Sequence, residues 1–65
     1  MKTELSVSDR ILIQDDITAL ITKMASAQVY LSEGKLSELF YCFKNISRIA
    51  NEAADGITRR GLIES

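Results

Sequence analysis

Ile13, Ile17, Leu20, Met24, Ala27 and Leu31 recur in the first half of the chain at spacings of four, three, four, three and four. Such spacings line side chains along one stripe of an α-helix, the seam by which it packs on a neighbour. Leu36, Leu39, Phe43, Ile46, Ala50, Ala53 and Ile57 make a second stripe, spaced three, four, three, four, three and four. Between the two stand Ser32, Glu33, Gly34 and Lys35, where glycine as a left-handed C-cap would stop the first helix. A single helix running through Gly34 is the alternative, at a cost of about 1 kcal/mol for interior glycine. The bracketing serine and the two complete stripes favour a turn.

These signals predict one all-α domain: a tail over residues 1–7, helix 1 over 8–33, a turn at 34–35, helix 2 over 36–60 and a tail over 61–65. Two starts compete for helix 1. Ser6 with Asp9 is a weak capping box, whereas Ser8 as N-cap sets Val7 against Leu12 as a hydrophobic staple and leaves Asp9 in the first turn; the second is preferred. The end of helix 2 is written in Gly61, with Ile57 and Leu62 at the two positions that touch in a Schellman motif and Arg59 and Arg60 in the last turn. Gly56 is a competing stop without that pairing. Each arm is about 24 residues, roughly 36 Å at the α-helical rise. Folding at Gly34 brings Leu31 to Leu36, Ala27 to Leu39 and Phe40, Met24 to Phe43, Leu20 to Ile46, and Ile17 to Ala50.

The two arms differ away from their seams. The outward side of helix 2 carries Ser37, Glu38, Tyr41, Lys44, Asn45, Arg48, Asn51, Glu52, Asp55, Thr58 and Arg59, with Arg48–Glu52 and Asp55–Arg59 as i,i+4 pairs. Helix 1 instead holds Ile11, Leu12, Thr18, Ala19, Ile21, Thr22, Ala25, Ser26 and Val29 there. A helix that is apolar or small-residued nearly all round is buried on more than one side, and a hairpin covers one. The expectation is a homodimer, an antiparallel four-helix bundle with the copies of helix 1 facing each other. Its candidate dimer or partner interface is Ile11, Thr18, Ile21, Thr22, Ala25 and Val29.

Size points the same way. A chain of 65 residues has little core, and such chains lean on disulfides, metals or partner chains. One cysteine, Cys42, permits no intrachain disulfide, and the absence of histidine leaves poor zinc ligands. A composition 46% hydrophobic and 26% charged is globular, and a formal charge of −1 disfavours duplex DNA or an acidic membrane as partner. No apolar run reaches a membrane span and the N-terminal residues lack signal-peptide order, so a cytoplasmic protein is expected, in keeping with the unpaired thiol.

No catalytic, cofactor or metal site is expected. Asp15 and Asp16 project about 100° apart on a helix and do not form a facing pair. Cys42 lacks a histidine to activate it and reads as a small core residue. Tyr30, Phe40, Tyr41 and Phe43, which could stack on a base or line a peptide pocket, read as core beside the turn. Arg59 and Arg60 are accounted for by the helix end.

Residues 27–43, AQVYLSEGKLSELFYCF, resemble the middle of a tetratricopeptide hairpin, with Ala27, Tyr30, Gly34, Leu36 and Phe43 in that family's small, aromatic, turn-glycine, apolar and aromatic places. There is no second copy, Leu39 stands where a small residue belongs, and both arms exceed the repeat, so peptide binding is not carried over. In size and layout the chain also resembles small plasmid-encoded helical hairpins that dimerise and bind paired RNA loops, a fold-level likeness. The expected function is a non-enzymatic regulator or adaptor acting through helix-mediated protein–protein contact with a protein partner. The alternative is a small RNA- or DNA-binding regulator using Lys44, Arg48 and Arg59.

Overall fold

The computed structural model describes residues 5–63 and consists of two antiparallel helices, α1 (Val7–Ser32) and α2 (Leu36–Arg59), packed against each other as a hairpin. The molecule measures 48 × 21 × 16 Å, a slab two helices wide and one helix thick. Residues 1–4 and 64–65, the outer parts of the expected tails, lie outside the described residues.

Ser6, not Ser8, caps α1. The Asp9 backbone N–H donates to Ser6 Oγ at 3.1 Å, and the Ser6 hydroxyl donates back to Asp9 Oδ2 at 3.0 Å. The physical reason is reciprocity: Asp9 stands three residues after Ser6, where a side chain can answer the cap, whereas the residue three after Ser8 is Ile11. Val7 therefore opens the helix as an exposed residue instead of stapling to Leu12.

Both helices end in the same device. At the tip Gly34 adopts φ 69°, its N–H donates to the Leu31 carbonyl at 3.1 Å, and the Lys35 N–H donates to the Tyr30 carbonyl at 2.9 Å. At the far end Gly61 repeats φ 69°, with its N–H on Thr58 at 3.0 Å and the Leu62 N–H on Ile57 at 3.1 Å. These paired bonds define Schellman motifs, which satisfy carbonyls that helix ends leave open and need a residue free of Cβ strain at the left-handed position. The expected stops at Gly34 and Gly61 are both found.

The helix passes through Gly56 without a break, and Gly56 is buried. A Cβ built there would meet Arg60 Nη2 at 3.6 Å, ordinary contact with the end of a flexible side chain. Gly56→Ala is therefore expected to stabilise the fold by about 0.5–1 kcal/mol through helix propensity, raising Tm by a few degrees in a thermal melt. A fall in Tm would mean that the packing at this site requires the absence of a methyl group.

The register between the arms is the expected one, but their rotation is not. Cys42 Sγ lies 3.2 Å from the Lys23 carbonyl, Asp9 pairs with Arg60 across the open end at 3.5 Å, and Met24, Ala27, Leu39 and Phe43 share one groove. All agree with an antiparallel fold about Gly34. Yet the buried residues between the helices are Ala27 and Cys42, both small, and Gly56 is buried beside the Arg59 and Arg60 side chains. Partly buried beside them are Ile13, Ala19, Leu20, Ser26 and Tyr30 of α1 and Leu39, Ile46, Ile49 and Ala53 of α2. Ile17, Met24 and Leu31, assigned by their spacing to the interhelical seam, are exposed, as are Leu36, Phe43 and Ala50. Small side chains along the line of contact let the backbones approach, and the bulky members of each stripe then stand at the rim of the contact.

Candidate interaction surfaces

The rotation gives the slab two unlike broad sides. On one, a groove of about 280 Å3 runs between the helices near the tip, lined by Met24, Ala27, Gln28, Leu31, Leu39 and Phe43. Met24 is 54% exposed, Phe43 57%, Leu31 60% and Leu36 68%. Heptad spacing continues this face from Leu31 and Met24 to Ile17 on α1, and from Leu36 and Phe43 to Ala50 on α2. None of the side chains lining the groove carries a charge. The result is an apolar face running along both helices and open to water.

The opposite side is polar. A second groove of about 360 Å3 is lined by Lys23, Ser26, Tyr30, Ser37, Glu38, Tyr41, Cys42 and Asn45. Hydroxyl, amide and charged groups dominate it, so water satisfies this side without help from another molecule. Among the described residues no buried side-chain polar atom lacks a hydrogen-bond partner.

The narrow outer edge of α1 is the third surface. Ile11, Thr18, Thr22, Ala25 and Val29 follow one another at helical spacing on the side turned from α2, and all five are exposed in the hairpin. Ile21, also exposed, lies between this edge and the apolar broad face, in step with Ile17 and Met24. The six residues singled out from the sequence thus divide between an outer stripe and one member adjoining the groove.

Lys44, Arg48 and Arg59 lie on exposed parts of α2 but do not form a free cationic patch. Arg48 Nη1 is 3.4 Å from Glu52 Oε2, and Lys44 Nζ sits 5.7 Å from the centre of the Phe40 ring. Exposed contacts of these kinds are worth at most about 1 kcal/mol, but they hold two of the three cations beside α2's own side chains. The Asp55–Arg59 pair expected from spacing is not among the ion pairs of the described residues, which are Glu33–Lys35, Arg48–Glu52 and Asp9–Arg60.

Two further expectations meet the geometry differently. Cys42 is buried, as a small core residue should be, and its thiol donates to the Lys23 carbonyl across the helix interface. The aromatic cluster is not core. Phe40 and Tyr41 make an edge-to-face pair with centroids 5.2 Å apart, and both, like Phe43, are more than half exposed; only Tyr30 is partly covered. The reason is the same rotation, which turns Phe43 to the apolar groove and Tyr41 to the polar one, while Phe40 stands beside Tyr41 and Lys44. The signal in the sequence for this rotation is the placing of small residues: Ala19 and Ser26 on α1, seven apart, and Cys42 on α2 lie on the sides where the helices meet.

Among the described residues no helix is long and apolar enough to cross a membrane, and no group of three or more metal-ligating side chains is placed to hold an ion. No protein-family model matches the sequence, and no significant similarity to a curated protein or to a solved structure is found.

Proposed function

We propose that the protein is a small non-enzymatic regulator or adaptor that works through helix-mediated protein–protein contact, as a homodimer whose two hairpins make a four-helix bundle. One observation carries the reading: an apolar face extends along both helices and the hairpin leaves it uncovered. The cost of leaving such a face in water is of the order of 25 cal/mol per Å2, so covering it is the strongest driving force the molecule offers. The hairpin core supports the same view, because no large side chain is fully buried in it. A partner chain supplies the core that 65 residues in this shape lack.

In this reading the outer stripe of α1, with Ile11, Thr18, Thr22, Ala25 and Val29, remains on the bundle surface to dock a helix of another protein. The unpaired thiol of Cys42 suits a reducing compartment such as the cytoplasm. The nucleic-acid alternative has less support, since Lys44 and Arg48 already engage Phe40 and Glu52 and acids intersperse the cations along α2.

Sedimentation equilibrium tests the reading. The expected mass is twice 7.2 kDa, with a Tm that rises with protein concentration, as mass action requires of a fold completed by association. A species of 7.2 kDa at every concentration, melting at a fixed temperature, would sink it.

A further inference from the structure

The proposed dimer covers the apolar face but leaves open the extent of the contact and the orientation of the copies, and the sequence pointed to the outer edge of α1. We infer instead that a second copy of this chain seats on the apolar broad face, across Ile17, Met24, Leu31, Leu36 and Phe43, with the two hairpin tips at opposite ends of the bundle. This inference rests on the reading that the chain self-associates, and it specifies the extent of the contact and the orientation.

Area comes first. The chain exposes 5238 Å2, whereas a compact monomer of this mass exposes roughly 4,100 Å2. The excess belongs to the whole elongated outline, and a broad side within 48 × 21 Å is large enough to supply the roughly 800 Å2 that each partner gives to a stable interface. A flat face of two helices meets that requirement better than a single helix edge does.

Charge comes next. Met24, Ala27, Gln28, Leu31, Leu39 and Phe43 line the groove without a charge, so a copy of the same face meets no like-charge repulsion when it is laid on top. A hetero-partner leaves its mark on a surface as a charged or hydrogen-bonding rim that selects it. Here the charges sit mostly on the opposite side and on the outer faces, although Arg10, exposed near the open end, continues the heptad row of Ile17, Met24 and Leu31.

The shape of the face sets the orientation. Toward the tip it presents Leu31, Leu36 and Phe43, all large and exposed. Toward the open end the same heptad row of α2 continues as Ala50, which is small and exposed. Tips at the same end would set bulk against bulk and leave a void at the other end. Opposite ends put Phe43 over Ala50 of the partner subunit, which fills space evenly. A two-fold axis across the slab then lays α1 against α1 and α2 against α2, each pair antiparallel.

Sedimentation of a small set of variants decides the matter. Phe43→Ala and Met24→Ala remove side chains that are exposed in the hairpin and keep a good helix former, so hairpin folding is preserved; each is expected to weaken dimerisation by roughly 30-fold or more, as truncation of a central anchor does. Ile11→Ala and Val29→Ala, on the outer edge, are expected to leave the dimer constant within about threefold, the range of surface substitutions. Circular dichroism of each variant checks that helicity is retained. The converse pattern, with the outer variants monomeric and the groove variants still dimeric, would overturn the inference while leaving the dimer itself standing. A monomeric wild type removes the underlying reading as well. For orientation, Lys35→Cys is oxidised in the wild-type background: opposite tips predict no disulfide-linked dimer, and ready crosslinking would overturn the arrangement.

Discussion

Ala27→Asp should abolish most of the hairpin's helicity at neutral pH, with far-UV circular dichroism as the measurement. Ala27 is one of three buried residues among those described and sits on the line where α1 meets α2, beside Leu39. A carboxylate there loses water and gains no partner, which costs about 3 kcal/mol or more, against a total stability of roughly 3–10 kcal/mol for a domain of this size. It also wedges the backbones apart where small side chains let them approach. The charge part of the loss has a defined sign. Burial raises the folded-state pKa of such a carboxyl above its unfolded value near 4, so the penalty is complete above the raised value and is relieved as pH falls toward about 4. Ala27→Asn separates the two parts, since it retains bulk and polarity and should show no such recovery in acid. Ala25→Asp provides the comparison at an exposed site two residues away, with an expected cost of about 0.7 kcal/mol from helix propensity alone. Equal losses at the two positions would show that the line of small residues is not the packing contact.

Gly34→Ala is the second large effect, and its outcome is a change of shape. Alanine at φ 69° costs about 1–2 kcal/mol, and nothing within 4 Å of the site adds to or offsets that strain. The same substitution makes an uninterrupted helix through residues 33–35 more favourable by about 1 kcal/mol. The two terms act in one direction and shift the balance between bent and straight chains by about 2–3 kcal/mol, a factor of roughly 30 to 150. Small-angle scattering reads the result directly. The hairpin has a Cα radius of gyration of 14.8 Å, whereas a continuous helix spanning both arms would be roughly 80 Å long, so a marked rise in that radius is expected in solution. An unchanged radius would mean that packing between the arms outweighs the turn residue, and Gly34→Asn, which tolerates the left-handed conformation, is the control that should stay bent.

The elements, the turn and the ends of this fold are all present in the residue pattern, because each is governed by local chemistry. Gly34 and Gly61 stop helices for a reason that involves only their own backbone and the preceding turn. Ile57 and Leu62 announce the second stop before any tertiary contact is known. The choice between Ser6 and Ser8 turned on a single side chain, Asp9, whose value as a reciprocal cap outweighed a hydrophobic staple. Register followed too, since a short connection with arms of similar length leaves little freedom to slide.

Rotation did not follow, and the reason is physical. A stripe such as Ile13, Ile17, Leu20, Met24, Ala27, Leu31 reports that one side of a helix prefers to leave water, but it does not report what covers it. Within a hairpin, Ile13, Leu20 and Ala27 turn partly toward α2 while Ile17, Met24 and Leu31 turn away, and both sets belong to one apolar arc. Size distinguishes them better than hydropathy does: where α1 and α2 meet most closely, Ala27 and Cys42 are found. The apolar surplus of α1 pointed to a second chain, whereas the face assigned to it here includes α2 as well, which the sequence presented as one-sided and satisfied.

The short connection at residues 33–35 has a further consequence, for the order in which the arms come together. Contacts beside the tip close a small loop, whereas the Asp9–Arg60 pair closes nearly the whole chain, and the entropy lost on closure grows with loop length. The contact between Cys42 and Lys23, 19 residues apart in sequence, therefore carries a smaller entropic penalty than the pair at the open end. The hairpin is graded along its length, most secure beside Gly34 and loosest where Asp9 meets Arg60, and thermal opening runs from the termini inward.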